Sequence, residues 1–363
     1  MNYSHELDAA PVYYIDDINS DDEQSDPELY SNSSATSSSL DTLASSEVHD
    51  YFHEAHGRMF PADVNVAISL PTDSVEVQRC AKQHQILKAL LKSNYWGPVD
   101  QVLAMTHGQK ERKKVLDIVT AEGSWAQEMS LQFPDVDFLS LDNVPLVPHT
   151  PRPNVEFEVY DFYNGIAAPD ATFDIVHLRL AMMHLTNPKD VIRHIYRVLK
   201  PGGLFLFADT EIDVFDARSP ERTMSEVLPS LCEGLEVMRS ALSRQGVAIH
   251  MGREVAGWLS PDSDIWASNH PKQPGKSVGF RNIAYKQKFI PAGPWPGDPR
   301  LKVIGTASGQ AWERMWRSME APLQMFGLDE VNAKRIVQGA VRDINRPHVA
   351  IAAKLHLVYA FKI

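Results

Sequence analysis

A chain of 363 residues, 44% of them hydrophobic, is long enough for one large α/β domain with an added segment or for two ordinary domains. Its net charge of −12 sits at one end: residues 1–50 hold 12 of the 47 acidic residues and no Lys or Arg, which leaves 35 acidic against 35 basic residues in the remainder. The folded part therefore lacks the basic excess of a nucleic-acid binder, two cysteines (Cys80 and Cys232) are too few for a disulfide framework, and no apolar run reaches the roughly 18 residues of a membrane-spanning helix.

The N-terminus, "MNYSHELDAA", has neither the basic start nor the apolar stretch of a secretory leader, so a cytoplasmic or nuclear location is expected. Residues 1–50 combine "DDINSDDEQSDPE" with "SNSSATSSS", and so little apolar surface cannot offset the entropy of ordering. A disordered tail is expected there, either merely solvated or serving as a docking arm for a protein partner. A helix is expected over 72–96, with Val77, Cys80, His84, Leu87 and Leu91 on one face and Gly97-Pro98 as its breaker. Residues 51–110 thus read as an N-terminal helical cap.

From Lys114 strands and helices alternate. Strands are expected at 114–118, 136–141, 155–160, 173–178 and 203–208, with helices at 123–132 and 188–200 between them. This rhythm argues for an α/β fold with a doubly wound, mostly parallel sheet. A helix-rich insertion follows over about 220–260, then the Pro/Gly-rich loop "IPAGPWPGDPR", a helix around Trp312 and a C-terminal strand. Residues 111–363 read as one domain.

In such sheets ligands bind beyond the carboxyl ends of the strands. Those ends carry, in order, the loop "DIVTAEGSW", Asp142, Asp161-Phe162, His177 with Arg179, and "ADTE". An acid at the second strand end can accept ribose hydroxyls, and an Asp followed by an aromatic at the third can bond and stack an adenine. The first loop can bring N–H groups to a charged cofactor end.

At this point "FDIVHLRLAMMHLTNPKDVIRHIYRVLKPGGLFLF" resembles the fourth strand, helix and fifth strand of class I S-adenosylmethionine-dependent methyltransferases. In "RVLKPGG" a helix ends at Lys200, Pro201 stops it, and Gly202-Gly203 permit the turn into a strand. "LPTDSVEVQRCAKQHQILK" and "IPAGPWPGDPRLKVIG" are similar to outer segments of the LaeA-like fungal methyltransferases of secondary metabolism. The resemblance implies a Rossmann-like seven-stranded sheet, S-adenosylmethionine as cofactor, a small-molecule substrate, and no metal, membrane or direct nucleic-acid partner. It assigns the cofactor to Asp117, Val119, Ala121, Gly123, Asp142, Asp161, Phe162 and His177. His84, His177 and His184 are the candidates for a base or a substrate-positioning group. A regulator with the same fold and little or no catalysis is the rival reading.

The family pattern has glycine where Val119 and Ala121 stand. Val119 in particular resists a left-handed backbone, and strain of about 1–3 kcal/mol charged to binding would weaken the cofactor by roughly 5- to 150-fold. Trp312, Met315 or Trp316, and Met319 share one helical face, as either a core stripe or a substrate lid.

Overall fold

The computed structural model describes residues 52–62, 67–105, 111–144, 152–159, 161–219, 222–267 and 278–363. The expected disordered tail, 1–50, lies outside the described residues. Strands β1 (Phe52–Ala55) and β2 (Arg58–Pro61) form an antiparallel hairpin ahead of helix α1 (Ser74–Leu91). Asp73 caps α1 by accepting from the N–H groups of Val75 and Glu76. The helix stops before the expected Gly97-Pro98 break because Lys92 takes a left-handed conformation, φ 61°. A short helix, α2 (Val99–Leu103), completes the N-terminal segment, so the cap contains a hairpin as well as helices.

The alternating region follows the expected order: β3 (Lys113–Ile118), α3 (Ser124–Gln132), β4 (Val136–Asp142), β5 (Val155–Val159), β6 (Phe173–Arg179), α4 (Pro188–Val198) and β7 (Leu199–Thr210). These five strands pair in parallel. Helix α4 ends two residues before the expected Lys200. Leu199 is already extended and pairs with Phe173, and Lys200 is disfavoured in a helix because it precedes Pro201. Gly203 is required, since a Cβ there would lie 2.9 Å from the Lys200 carbonyl oxygen.

Beyond β7 come β8 (Phe215–Asp216), α5 (Met224–Val227), α6 (Pro229–Arg244), α7 (Met251–Trp258), β9 (Phe280–Pro291), α8 (Pro299–Arg317), α9 (Glu320–Met325), α10 (Glu330–Ile344) and β10 (Ile351–Lys362). The sheet runs β5-β4-β3-β6-β7-β10-β9, with β10 antiparallel to both neighbours. It is thus seven strands wide. The two-residue β8 is an eighth strand, continuing the β7 side of β10 at Ile351 and Ala352. Because β4 and β6 flank β3, the strand order reverses there and opens a crevice at the carboxyl ends.

Strand β9 and helix α10 go beyond the sequence expectation. β9 is an edge strand whose exposed Arg281, Lys286 and Gln287 break the alternation that marks a half-buried strand. Helix α10 packs on α6, where the buried Asp343 carboxylate accepts from the N–H groups of Ser230 (2.8 Å) and Leu231 (3.0 Å). The helical insertion is thereby fixed over one end of the sheet.

Candidate active site

The loop after β3 keeps the path that three glycines would take. Val119 (φ 58°), Ala121 (φ 52°) and Gly123 (φ 76°) are all left-handed, alternating with Thr120 and Glu122. The Thr120 N–H donates to Leu141 (3.2 Å) and that of Gly123 to Thr120 (3.0 Å). The Ala121 N–H donates to Asp142 Oδ2 at 2.9 Å, and Asp142 Oδ1 accepts from the Val144 N–H at 3.2 Å. Asp142 therefore braces the loop from β4. Burial pushes its carboxyl up to about 7. The strain at Val119 is carried by the folded chain itself.

One step inside the loop, Asp117 Oδ1 lies 2.7 Å from His177 Nδ1, and the His177 ring stacks on Trp125 with centroids 3.7 Å apart. Trp125 in turn donates from Nε1 to the Asn94 carbonyl. Burial lowers the His177 pKa against the pull of Asp117. Three buried polar atoms at this edge have no partner among the described residues: Asp117 Oδ2, Thr120 Oγ1 and Asn143 Nδ2.

His84 reaches the same edge from α1. Arg179 donates from Nη2 to His84 Nδ1 at 3.0 Å, which places the imidazole proton on Nε2, 3.3 Å from Glu128 Oε1. Burial, with Arg179 beside it, drives the His84 pKa down to about 4, so the ring is neutral. Asp161 caps a short helical turn, Phe162–Asn164, by accepting from the Tyr163 N–H. That turn directs Phe162 into the core, where it is 1% exposed, so its ring packs against apolar side chains instead of standing open at the strand edge.

A cavity of about 150 Å³ opens beside Arg179, between the ends of β6 and β7 and the surrounding helices. Leu180, Met182, His184 and Asp209 form its floor, Gln83 and Leu87 of α1 one wall, and Trp312, Met315 and Trp316 of α8 another. Of the three candidate histidines only His184 lines it, and burial lowers that pKa to about 4. His84 and His177 stand at the neighbouring edge, outside the cavity lining. The α8 stripe is both core and lining: Trp316 is 1% exposed yet borders the cavity, whereas Met319 lies wholly in the core.

Asp209 and Arg79 line the cavity and are not among the candidates singled out from the sequence. Asp209 accepts from the Met182 (2.8 Å) and Thr210 (2.7 Å) N–H groups, and burial raises its carboxyl to about 6. Its place in "ADTE" at a strand end was the available signal. Arg79 pairs with Glu76 on α1, at 2.7 Å, and also borders the cavity.

Residues 93–260 match a family model described as a methyltransferase domain. The chain is 28% identical over 245 residues to methyltransferase str3 of Strobilurus tenacellus, covering 67% of this chain and 76% of that protein. It is 24% identical over 316 residues to the secondary metabolism regulator laeA of Coprinopsis cinerea, covering 85% and 73%. Methyltransferase pytC of Aspergillus terreus is 25% identical over 282 residues, covering 77% and 76%.

Proposed function

We propose that this chain, a class I methyltransferase related to the LaeA-like proteins of fungal secondary metabolism, binds S-adenosylmethionine along the carboxyl edge of β3, β4 and β5 and methylates a small metabolite in the adjoining cavity. The observation that carries this reading is the set of three partnerless buried polar atoms on Asp117, Thr120 and Asn143 beside a left-handed loop. Burying such atoms unpaired is costly, and a polar ligand in the crevice would satisfy them.

The residues present fit that cofactor. The left-handed 119–123 loop would lie against its charged end. Asp142 would accept the ribose hydroxyls, because each carboxylate oxygen that braces the loop keeps a second lone-pair site. Asp161 would meet the adenine. The cofactor supplies a methyl group on a good sulfonium leaving group. The protein's part is then to align the acceptor, and positioning supplies much of the acceleration. An apolar cavity bordered by two tryptophans and Met182, Met183 and Met315 suits an apolar acceptor. His184, neutral within it, can take a proton from a hydroxyl acceptor.

Calorimetric titration of the full chain with S-adenosylmethionine tests the reading: heat and thermal stabilisation are expected, and neither at millimolar cofactor would sink it. That second outcome would favour a methyltransferase-fold regulator whose acidic tail docks a protein partner. The kinship with a protein named a regulator and the two strained residues in the loop support this alternative.

A further inference from the structure

Glu211, the residue after β7, borders the cavity, and its side chain is only 6% exposed. Its Oε1 accepts from His356 Nε2 at 2.9 Å and lies 3.4 Å from Nε of Arg253 on α7. Its Oε2 has no hydrogen-bond partner among the described residues. A desolvated carboxylate with one oxygen unfilled beside a cavity is costly to keep unless a donor completes it.

The support of that carboxylate comes from several elements. His356 is wholly buried on β10, and its Nδ1 lies 2.7 Å from the hydroxyl of Tyr285 on β9. An ionised Glu211 can only accept, so Nε2 carries the imidazole proton and Nδ1 accepts from Tyr285. Helix α7 fits against this ring because residue 252 is glycine: a Cβ there would lie 2.8 Å from His356 Cδ2. Burial alone would raise the Glu211 pKa, but the bond from His356 and the charge of Arg253 outweigh it and hold the group below its ordinary value. The cavity wall therefore keeps a charged carboxylate at neutral pH. These residues stand on the β7-β10-β9 side of the sheet, away from the edge assigned to the cofactor.

The rest of the lining leaves that charge unanswered. Arg79 gives Nε and Nη2 to Glu76 and Nη1 to Gln83, so its own charge is already paired. His184 is neutral, and Asp209 adds a second buried carboxylate two residues before Glu211. Trp312, Met315 and Trp316 make an apolar wall, and about 150 Å³ is the size of space that holds a single aromatic ring.

We propose that Glu211 anchors an ammonium group of the acceptor, so that the cavity takes an amine with a one-ring apolar body and rejects a carboxylic acid of the same shape. The assignment rests on reading the cavity as the acceptor site. A cation is the occupant that suits it best, because a charge-assisted bond to a desolvated carboxylate is stronger than one from a neutral hydroxyl.

Ligand-observed NMR titration of the full chain with phenethylamine, 2-phenylethanol and 3-phenylpropionate tests this, since the three share a ring and differ in charge. Phenethylamine should bind about 10-fold or more tightly than 3-phenylpropionate, with the alcohol between them. Glu211→Gln should remove that preference while changing 2-phenylethanol by less than about 3-fold. Equal or tighter binding of the carboxylate by the wild type, binding of none of the three, or a preference that survives Glu211→Gln would overturn the assignment. Should Glu211→Gln not fold, Glu211→Asp withdraws the charge by one methylene, and the preference should fall by about 5-fold; an unchanged ratio refutes the proposal. Titrating the same samples with S-adenosylhomocysteine keeps the two ideas apart. Cofactor binding without the amine preference removes only the anchor, whereas the preference without cofactor binding removes the methyl-transfer reading and leaves an amine-binding cavity.

Discussion

His177 and Asp117 meet at 2.7 Å across the β3–β6 pairing, both nearly excluded from solvent. Their contact pins the strand ends where the sheet order reverses, and the stack on Trp125 extends the clamp to α3.

Removing the imidazole would leave a buried carboxylate without its hydrogen-bond partner. His177→Ala should cost about 3 kcal/mol, read as a lower urea midpoint with unchanged slope. An unchanged midpoint would show that the pair contributes nothing to the fold.

The strained loop separates stability from affinity. Ala121→Gly should stabilise the chain by about 1 kcal/mol, because a left-handed alanine is relieved and the bond from its N–H to Asp142 is kept. Val119→Gly should be near neutral, since Val119 also packs against the core and loses that burial. Neither change should alter cofactor affinity by more than about 3-fold, because the loop is already in its final path. A marked tightening in calorimetry would show that the strain is spent on binding after all.

Asp142 gives a pH test with a definite sign. Its folded pKa is raised from 3.8 to about 7, so its contribution to stability is full below about 4 and declines as the pH rises towards 7. His84 and His184, lowered from 6.5 to about 4, act oppositely and are felt as the pH falls from 6.5 to 4. The two effects oppose each other in the wild type, so a difference measurement is needed. Relative to wild type, Asp142→Asn should gain about 2–4 kcal/mol between pH 4 and pH 8 in parallel denaturant melts. A constant difference would mean that Asp142 is ionised throughout.

Asp343 joins the insertion to the last helix by capping α6 at Ser230 and Leu231. Asp343→Ala should cost about 2 kcal/mol. Faster hydrogen exchange should be confined to α6 and α10, and uniform exchange across the sheet would refute a local role.

How much was legible follows from the range of the interactions. The strand-end residues Asp117, Asp142 and Asp161 were readable because a strand, a turn and a following helix are written within a dozen residues. The left-handed positions were readable too, since Gly123 and the "TAEG" turn survive beside Val119 and Ala121. Strand β9 was not, because its pairing with β10 is fixed by a chain segment beyond the three intervening helices α8, α9 and α10.

The sequence by itself determined the order of strands, the loop that faces the crevice and the acidic residues on its rim, since periodicity and turn chemistry are local properties of the chain. Only the tertiary structure decided that Phe162 turns inward, that His184 and not His84 or His177 lines the cavity, and that Asp142 braces the loop. The physical reason is that these roles depend on desolvation and on partners far along the chain. His84 and Arg179, 95 residues apart, become hydrogen-bonded neighbours only when α1 packs over the end of β6.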